Sequence, residues 1–157
     1  MRSPTLLIGA CLVVAGVGFS VFQLFSAKMG FELEPQNRAL VLMGEQIYAV
    51  NCAACHGKNL EGQANWKSPG PDGKMPAPPH DHTGHTWHHA DKLLFEITKY
   101  GVKKFAGENY ESNMPAYEGT LSDREIVASL TYIKSRWPEA IRKRHDEINE
   151  RTHGQAQ

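Results

Sequence analysis

Hydrophobic residues along this chain form one long run near the N-terminus and three later segments with helical spacing. The run, Leu6 to Phe25, contains no charged side chain. A membrane-spanning helix needs about 20 predominantly apolar residues, so the run predicts an N-terminal transmembrane helix within an anchor over residues 1–27. A cleaved signal peptide is the alternative, because residues 18–20 fit the small-x-small pattern of a cleavage site. Cleavage there would leave Val21 and Phe22 exposed at the new terminus, which favours the uncleaved anchor.

The first two periodic segments predict helices. After a short tether over residues 28–35, a helix is predicted from about Gln36 to Val50. Its apolar residues recur at three- and four-residue steps and form one stripe: Ala39, Leu40, Met43, Ile47 and Val50. A second helix is predicted from Thr86 or Trp87 to Tyr100, with Thr86 as its N-cap and Gly101 as its stop.

The third periodic segment has the clearest start. Ser122 and Glu125 have the spacing of a capping box, and Trp137-Pro138 ends the helix that follows. Beyond it, residues 138–157 form a charged tail, which is predicted to be a partly helical, solvated segment. The three helices predict an all-α domain over residues 36–137.

A long irregular segment separates the first two helices. Residues 57–84 hold five prolines and several glycines, which exclude a helix or a central strand. So long a loop in a small domain predicts that the loop wraps another group.

Composition narrows the function classes. Formal net charge is zero and the pI is about 7.1, which argues against a nucleic-acid partner. Three cysteines give no disulfide framework. The chain has neither an H-E-x-x-H motif nor a recognisable pair of catalytic carboxylates, so hydrolysis of a small-molecule substrate has no support.

The candidate chemistry is concentrated at residues 52–56. Cys52 and Cys55 are spaced by two residues and His56 follows directly, which is the pattern for covalent attachment of a c-type haem. Each thiol would add to a haem vinyl group, and His56 would be the proximal iron ligand. A zinc site needs about four ligands, whereas only Cys11 remains among the cysteines. A redox dithiol normally lies in a βαβ pattern, which is absent.

A haem with one protein ligand requires a candidate for the opposite axial position. Met-Pro-Ala occurs twice, so Met75 and Met114 compete for that role. Met114 lies in the loop directly before the third helix, and Met75 lies in the proline-rich loop soon after His56.

With these motifs the chain resembles a class I cytochrome c over about residues 36–137. The resemblance rests on C-x-x-C-H after an N-terminal helix, then Asn-Met-Pro-Ala-Tyr at 113–117 and the Leu-Ser-Asp-x-Glu-Ile helix start at 121–126. It implies three core helices around one covalently bound haem c, with His56 and Met114 as axial ligands.

The resemblance also implies two structural roles. Gly44 and Tyr48 of the first helix would pack against Tyr132 of the last. A proline carbonyl would accept the proximal imidazole N–H, with Pro69 as the first choice and Pro76 or Pro78 as alternatives.

A histidine-rich segment is the main feature that this resemblance leaves unassigned. Five of the eight histidines fall within residues 80–89. Such a cluster could bind copper or zinc. The favoured interpretation is a polar loop that is hydrogen-bonded to itself and to the haem propionates, with ring stacking by Trp87.

The resemblance implies one-electron transfer rather than enzymatic turnover, because a six-coordinate iron leaves no position for a substrate. Expected partners are membrane redox complexes, such as a quinol–cytochrome c reductase and a terminal oxidase. Since thioether attachment occurs outside the bacterial inner membrane, the haem domain is expected in the periplasm on a single-pass anchor. The alternatives are a fixed haem c subunit of a larger membrane complex, and a metal-binding or gas-sensing haem protein.

Overall fold

The computed structural model describes residues 32–107 and 109–154, and these residues form helices, turns and loops without a strand. This confirms the predicted all-α class for the described part of the chain. In chain order the helices are α1 (Arg38–Asn51), α2 (Ala53–His56), a 3-10 turn (Thr86–His88), α3 (Asp91–Tyr100), α4 (Lys103–Ala106), α5 (Asp123–Ser135) and α6 (Glu139–Gly154).

Helices α1 and α5 make the central contact of the domain, and a glycine allows their close approach. A Cβ atom on Gly44 would overlap the backbone carbonyl of Ala128 and lie 2.9 Å from Cβ of Tyr132. One turn further along α1, the Tyr48 ring lies 5.5 Å from the Tyr132 ring, centroid to centroid. The predicted packing of Gly44, Tyr48 and Tyr132 is confirmed.

Local capping explains where α1 and α5 begin. Asn37 is the N-cap of α1, and its side-chain oxygen accepts from the Leu40 N–H at 3.3 Å. Helix α1 therefore starts at Arg38, two residues after the predicted start. At α5 the predicted capping box is present: Ser122 Oγ accepts from the Glu125 N–H, and the Glu125 carboxylate accepts from the Ser122 N–H at 2.8 Å.

The start predicted for the second helix is wrong. Thr86 begins a 3-10 turn instead, and its hydroxyl contacts the His80 imidazole at 2.8 Å. Helix α3 begins at Asp91, after Ala90, whose side chain cannot cap it. The cap comes from α6, where Asn149 Oδ1 accepts from the Asp91 N–H at 2.8 Å. The predicted stop at Gly101 is confirmed.

The predicted helicity of the charged tail is confirmed for Glu139–Gly154, but this helix packs on the domain, so the prediction that the tail is solvated is wrong. His145 of α6 is completely buried, and its Nε2 donates to the His89 carbonyl at 3.0 Å. Asp146 pairs with the buried Lys134 at 2.7 Å. These polar contacts add to the packing of Ile141 against the core, so the sparse hydrophobic pattern of α6 understates its contact with the domain.

The described end of the predicted tether also contacts the domain. The Leu33 side chain is buried, and its backbone N–H donates to the Asp91 carboxylate at 2.9 Å. No helix within residues 32–107 and 109–154 is long and apolar enough to cross a membrane. The predicted Leu6–Phe25 span lies outside the described residues.

Candidate haem-binding site

The C-x-x-C-H motif forms one helical turn at the end of α1. Cys52 ends α1, and its carbonyl accepts from the Cys55 N–H at 3.1 Å and from the His56 N–H at 2.9 Å. Both thiols are free; Cys52 is half-buried and Cys55 is exposed. The turn therefore brings the three predicted haem-attachment residues together.

Two tyrosine hydroxyls anchor the ends of this turn. Tyr48 donates to the Gly57 carbonyl at 2.9 Å, and Tyr117 donates to the Asn51 carbonyl at 2.7 Å. Burial is the main cause that raises the pKa of Tyr117 to about 12, so its hydroxyl stays protonated as a donor. Burial, with the neighbouring Cys55, also raises the pKa of Cys52 to about 11. Before haem attachment, the Cys52 thiol is therefore neutral at neutral pH.

The orientation of the buried His56 ring is set by a carbonyl from the loop that follows. Nδ1 of His56 lies 2.9 Å from the Pro78 carbonyl oxygen, which can only accept, so Nδ1 carries the proton. The other ring nitrogen, Nε2, then keeps its lone pair for a metal. Burial lowers the pKa of His56, and the bond to Pro78 partly opposes that shift.

The first choice for this carbonyl, Pro69, is therefore wrong, and the alternative Pro78 takes its place. The loop returns to His56 because the Leu60 carbonyl accepts from the His80 N–H at 2.8 Å. Leu60 has a φ of 70°, which is rare for a bulky residue, and its side chain is buried. Pro69 lies in the exposed part of the loop.

No sequence pattern predicts the residue that packs against the His56 ring. The rings of His56 and His80 are stacked, with centroids 3.9 Å apart and an interplanar angle of 22°. Burial, with charge at His56 and His85, holds the pKa of His80 well below its ordinary value. His80 was recognised only as a member of the histidine-rich segment, because contact across a loop leaves no periodic signal.

Met114, the predicted distal ligand, lines a cavity of about 420 Å³, whereas Met75 is not among its lining residues. The Met114 N–H donates to the Ser112 hydroxyl at 3.0 Å. Asn113 accepts from the Lys74 ammonium at 2.9 Å, which connects this loop to the proline-rich loop. The cavity lining is Lys74, Tyr100, Gly101, Val102, Lys103, Tyr110, Glu111, Ser112, Met114 and Ala116.

Three of the other histidines of residues 80–89, His85, His88 and His89, contact aromatic or imidazole rings. The His85 ring stacks on the Trp66 ring with centroids 5.4 Å apart, and the centroids of the His88 and Trp87 rings lie 3.7 Å apart. Burial is the largest cause that lowers the pKa of His85 and of His89, and neighbouring imidazoles lower it further. Across the described ranges, no group of three or more His, Cys, Asp or Glu side chains is arranged to hold a metal ion.

The residues of the motif fit a covalently attached haem. Two free thiols lie on one turn beside an imidazole whose Nδ1 is committed to a carbonyl and whose Nε2 is available. Such a donor set suits iron in a porphyrin, with the thiols as attachment points.

Comparison with known proteins identifies the family. The cytochrome c family model matches residues 41–137, more than half of the chain. A curated relative, the cbb3-type cytochrome c oxidase subunit FixP of Bradyrhizobium sp. (strain ORS 278), is 27% identical over 107 residues, 66% of this chain and 33% of the relative. The match thus spans about a third of that relative's length. No solved structure is significantly similar. The chain therefore belongs to the cytochrome c family, as a class I c-type cytochrome whose cofactor is covalently bound haem c.

Proposed function

We propose that this cytochrome is a one-electron carrier with His56 and Met114 as axial ligands, tethered to the bacterial inner membrane with its haem domain in the periplasm. Family membership supports haem-based electron transfer in general. The bond of His56 Nδ1 to the Pro78 carbonyl supports the assignment of His56, because it leaves Nε2 free on the turn that holds both thiols. The assignment of Met114 rests on the resemblance of residues 113–117 to the distal loop of class I cytochromes c.

Each residue has a defined task in this proposal. When bound, haem c supplies a one-electron Fe(III)/Fe(II) couple. The Cys52 and Cys55 thiols attach it, and the Pro78 carbonyl fixes the tautomer and tilt of His56. Met114 would fill the remaining axial position, which excludes an external substrate. Electron transfer is then outer-sphere, and no small-molecule substrate is required.

Support for the proposed partners comes from the relative, whose name describes a subunit of a cbb3-type oxidase. A terminal oxidase of this kind is the proposed acceptor, and a quinol–cytochrome c reductase is the proposed donor. A membrane tether would keep the carrier at high effective concentration near both complexes.

A second candidate is a fixed electron-entry subunit of a larger oxidoreductase, which the name of the same relative favours. Copurification separates the two. After mild detergent extraction, a fixed subunit stays with a stoichiometric partner, whereas a mobile carrier is recovered alone.

Spectroscopy of the purified protein tests the haem assignment. We expect one haem per chain with two thioether bonds in the pyridine haemochrome spectrum, and a one-electron potentiometric titration. The double variant Cys52→Ala/Cys55→Ala should lose covalent haem, whereas Cys11→Ala, which removes the other cysteine, should retain it. Covalent haem in the double variant would contradict the assignment.

Carbon monoxide tests the axial positions. If Met114 completes the coordination, the reduced wild-type protein should resist carbon monoxide. Rapid, complete binding would instead favour the gas-sensing alternative with an open iron site.

A further inference from the structure

One face of the proximal imidazole is covered by a second histidine. The His56 and His80 rings are stacked, with a centroid distance of 3.9 Å and an interplanar angle of 22°. The stacking leaves Nε2 of His56 free, because Nε2 lies in the ring plane and not on the covered face.

His80 is itself held at three points, one on its ring and two on its backbone. Nδ1 of His80 lies 2.8 Å from the Thr86 hydroxyl, which donates to the Pro79 carbonyl, so that Nδ1 is the donor toward Thr86. The His80 N–H donates to the Leu60 carbonyl at 2.8 Å, and its carbonyl accepts from Trp137 Nε1 at 2.7 Å. Trp137 is nearly completely buried, so this support is rigid.

The His80 ring restricts a rotation of the His56 ring that the hydrogen bond of His56 alone would allow. The Pro78 carbonyl fixes the Nδ1 side of the ring, but a single hydrogen bond permits the ring to pivot about the line through that bond. A flat ring at van der Waals distance opposes the pivot, because rotation would drive the His56 ring into its neighbour.

We propose that His80 is a positioning residue for His56: its ring fixes the rotation of the proximal imidazole plane relative to the haem. The proposal rests on the assignment of His56 as the proximal ligand. The orientation of the imidazole plane determines how the unpaired electron of oxidised haem is distributed over the porphyrin. Electron paramagnetic resonance g values and the NMR shifts of the haem methyl groups therefore report that orientation.

Variants of His80 test this, with the full haem-loaded chain and covalent haem measured for each. His80→Ala removes the ring face, and we expect changed g values, a changed order or spread of the haem-methyl shifts, and a shifted reduction potential. His80→Phe keeps an aromatic face without the bond to Thr86, and its spectra should stay close to wild type. His85→Ala is the matched control, since His85 belongs to the same segment but stacks on Trp66.

The possible outcomes are distinct. If haem-loaded His80→Ala has wild-type spectra, the proposal is overturned. It is also overturned if the spectra of His80→Phe differ from wild type as much as those of His80→Ala do. A change in His85→Ala as large as that in His80→Ala would overturn it too. If His80→Ala does not retain haem, His80→Leu decides, because leucine keeps much of the side-chain volume without a flat ring face. Altered methyl shifts in His80→Leu support the proposal, and shifts as close to wild type as those expected of His80→Phe overturn it. If the wild-type spectrum itself lacks histidine ligation, it is the assignment of His56 that fails, independently of His80.

Discussion

Met114 is the residue on which the proposed redox property depends most directly. It lines the cavity of about 420 Å³, and its loop is connected to the proline-rich loop through Asn113 and Lys74. Because a thioether ligand favours reduced iron, we expect Met114→Leu to lower the reduction potential and to admit carbon monoxide. Its thioether charge-transfer band should vanish in the oxidised spectrum.

Met75→Leu is the matched control, because Met75 lies in the other Met-Pro-Ala sequence. It should keep the wild-type potential and spectrum. If Met75→Leu shows the losses and Met114→Leu does not, the ligand assignment is wrong.

At the residue scale, what could be predicted from sequence was what depends on local spacing. Cys52, Cys55 and His56 lie on one turn because their separation is that of a helix, so their convergence needed no tertiary information. The choice of Pro78 over Pro69, and the stacking of His80, depend on how a long loop returns to its start. That return is set by the Leu60 carbonyl and an unusual φ at Leu60, which leave no mark in a hydrophobic pattern.

At the scale of elements, the α1–α5 crossing should be highly sensitive to a single methyl group. A Cβ on Gly44 would overlap the Ala128 carbonyl, which is backbone and cannot turn aside. Overpacking of this kind costs about 1–3 kcal/mol, more than the gain of about 1 kcal/mol that alanine brings to a helix. We therefore expect Gly44→Ala to lower the free energy of unfolding in urea. Gln46→Ala, at an exposed position of α1, should change it little.

The buried histidine of α6 should make stability depend on pH. Burial lowers the pKa of His145, although Asp91 opposes the shift, and Nδ1 has no hydrogen-bond partner among the described residues. The unfolded chain, with an ordinary histidine pKa of about 6.5, takes up the proton first as pH falls. The contribution of His145 is therefore fully present above about pH 6.5. It is lost as pH falls through the lower folded-state pKa.

His145→Gln tests this, because glutamine can still donate to the His89 carbonyl but does not titrate. We expect the free energy of unfolding, measured by urea titration between about pH 5 and 8, to fall less with decreasing pH in the variant. The difference amounts to about 1.4 kcal/mol per unit of pKa difference removed. His82→Gln, at an exposed histidine, is the control and should retain the wild-type slope. Equal slopes in all three proteins would show that His145 does not carry the dependence.

Prediction of elements succeeded for α1 and α5, which hydrophobic periodicity and the capping box mark. It failed at the start of α3, where Thr86 does not act as the cap, and for the packing of α6. The predicted helix 36–50 is Arg38–Asn51, and the capping box at Ser122 is present. Helix α6 is predicted to lie in solvent because few of its residues are hydrophobic, yet Ile141 packs against the core and the polar His145 is completely buried. A buried histidine in place of an apolar residue weakens the hydrophobic period of that face.

For the whole molecule, the anchor remains a prediction from the uncharged Leu6–Phe25 run. We expect the mature protein to begin near Met1 and to stay with membranes after washing in high salt, since apolar insertion is insensitive to ionic strength. Intact mass and fractionation measure this. Deletion of residues 1–27 behind a cleavable signal should release a soluble protein with an unchanged haem spectrum. Wild-type protein that is soluble and shorter by about twenty residues would instead indicate a cleaved signal.

The cap that Asn149 provides for α3 determines where a stable recombinant fragment of this domain can end. The family match ends at residue 137, and a recombinant fragment trimmed to that boundary would lack all of α6. The Asp91 N–H would lose its acceptor, at a cost of about 1 kcal/mol by the usual effect of a lost cap, and the buried Lys134 would lose Asp146. A fragment that ends at residue 154 should melt at a higher temperature than one that ends at residue 137. For this chain, the unit to express is longer than the unit that sequence families recognise.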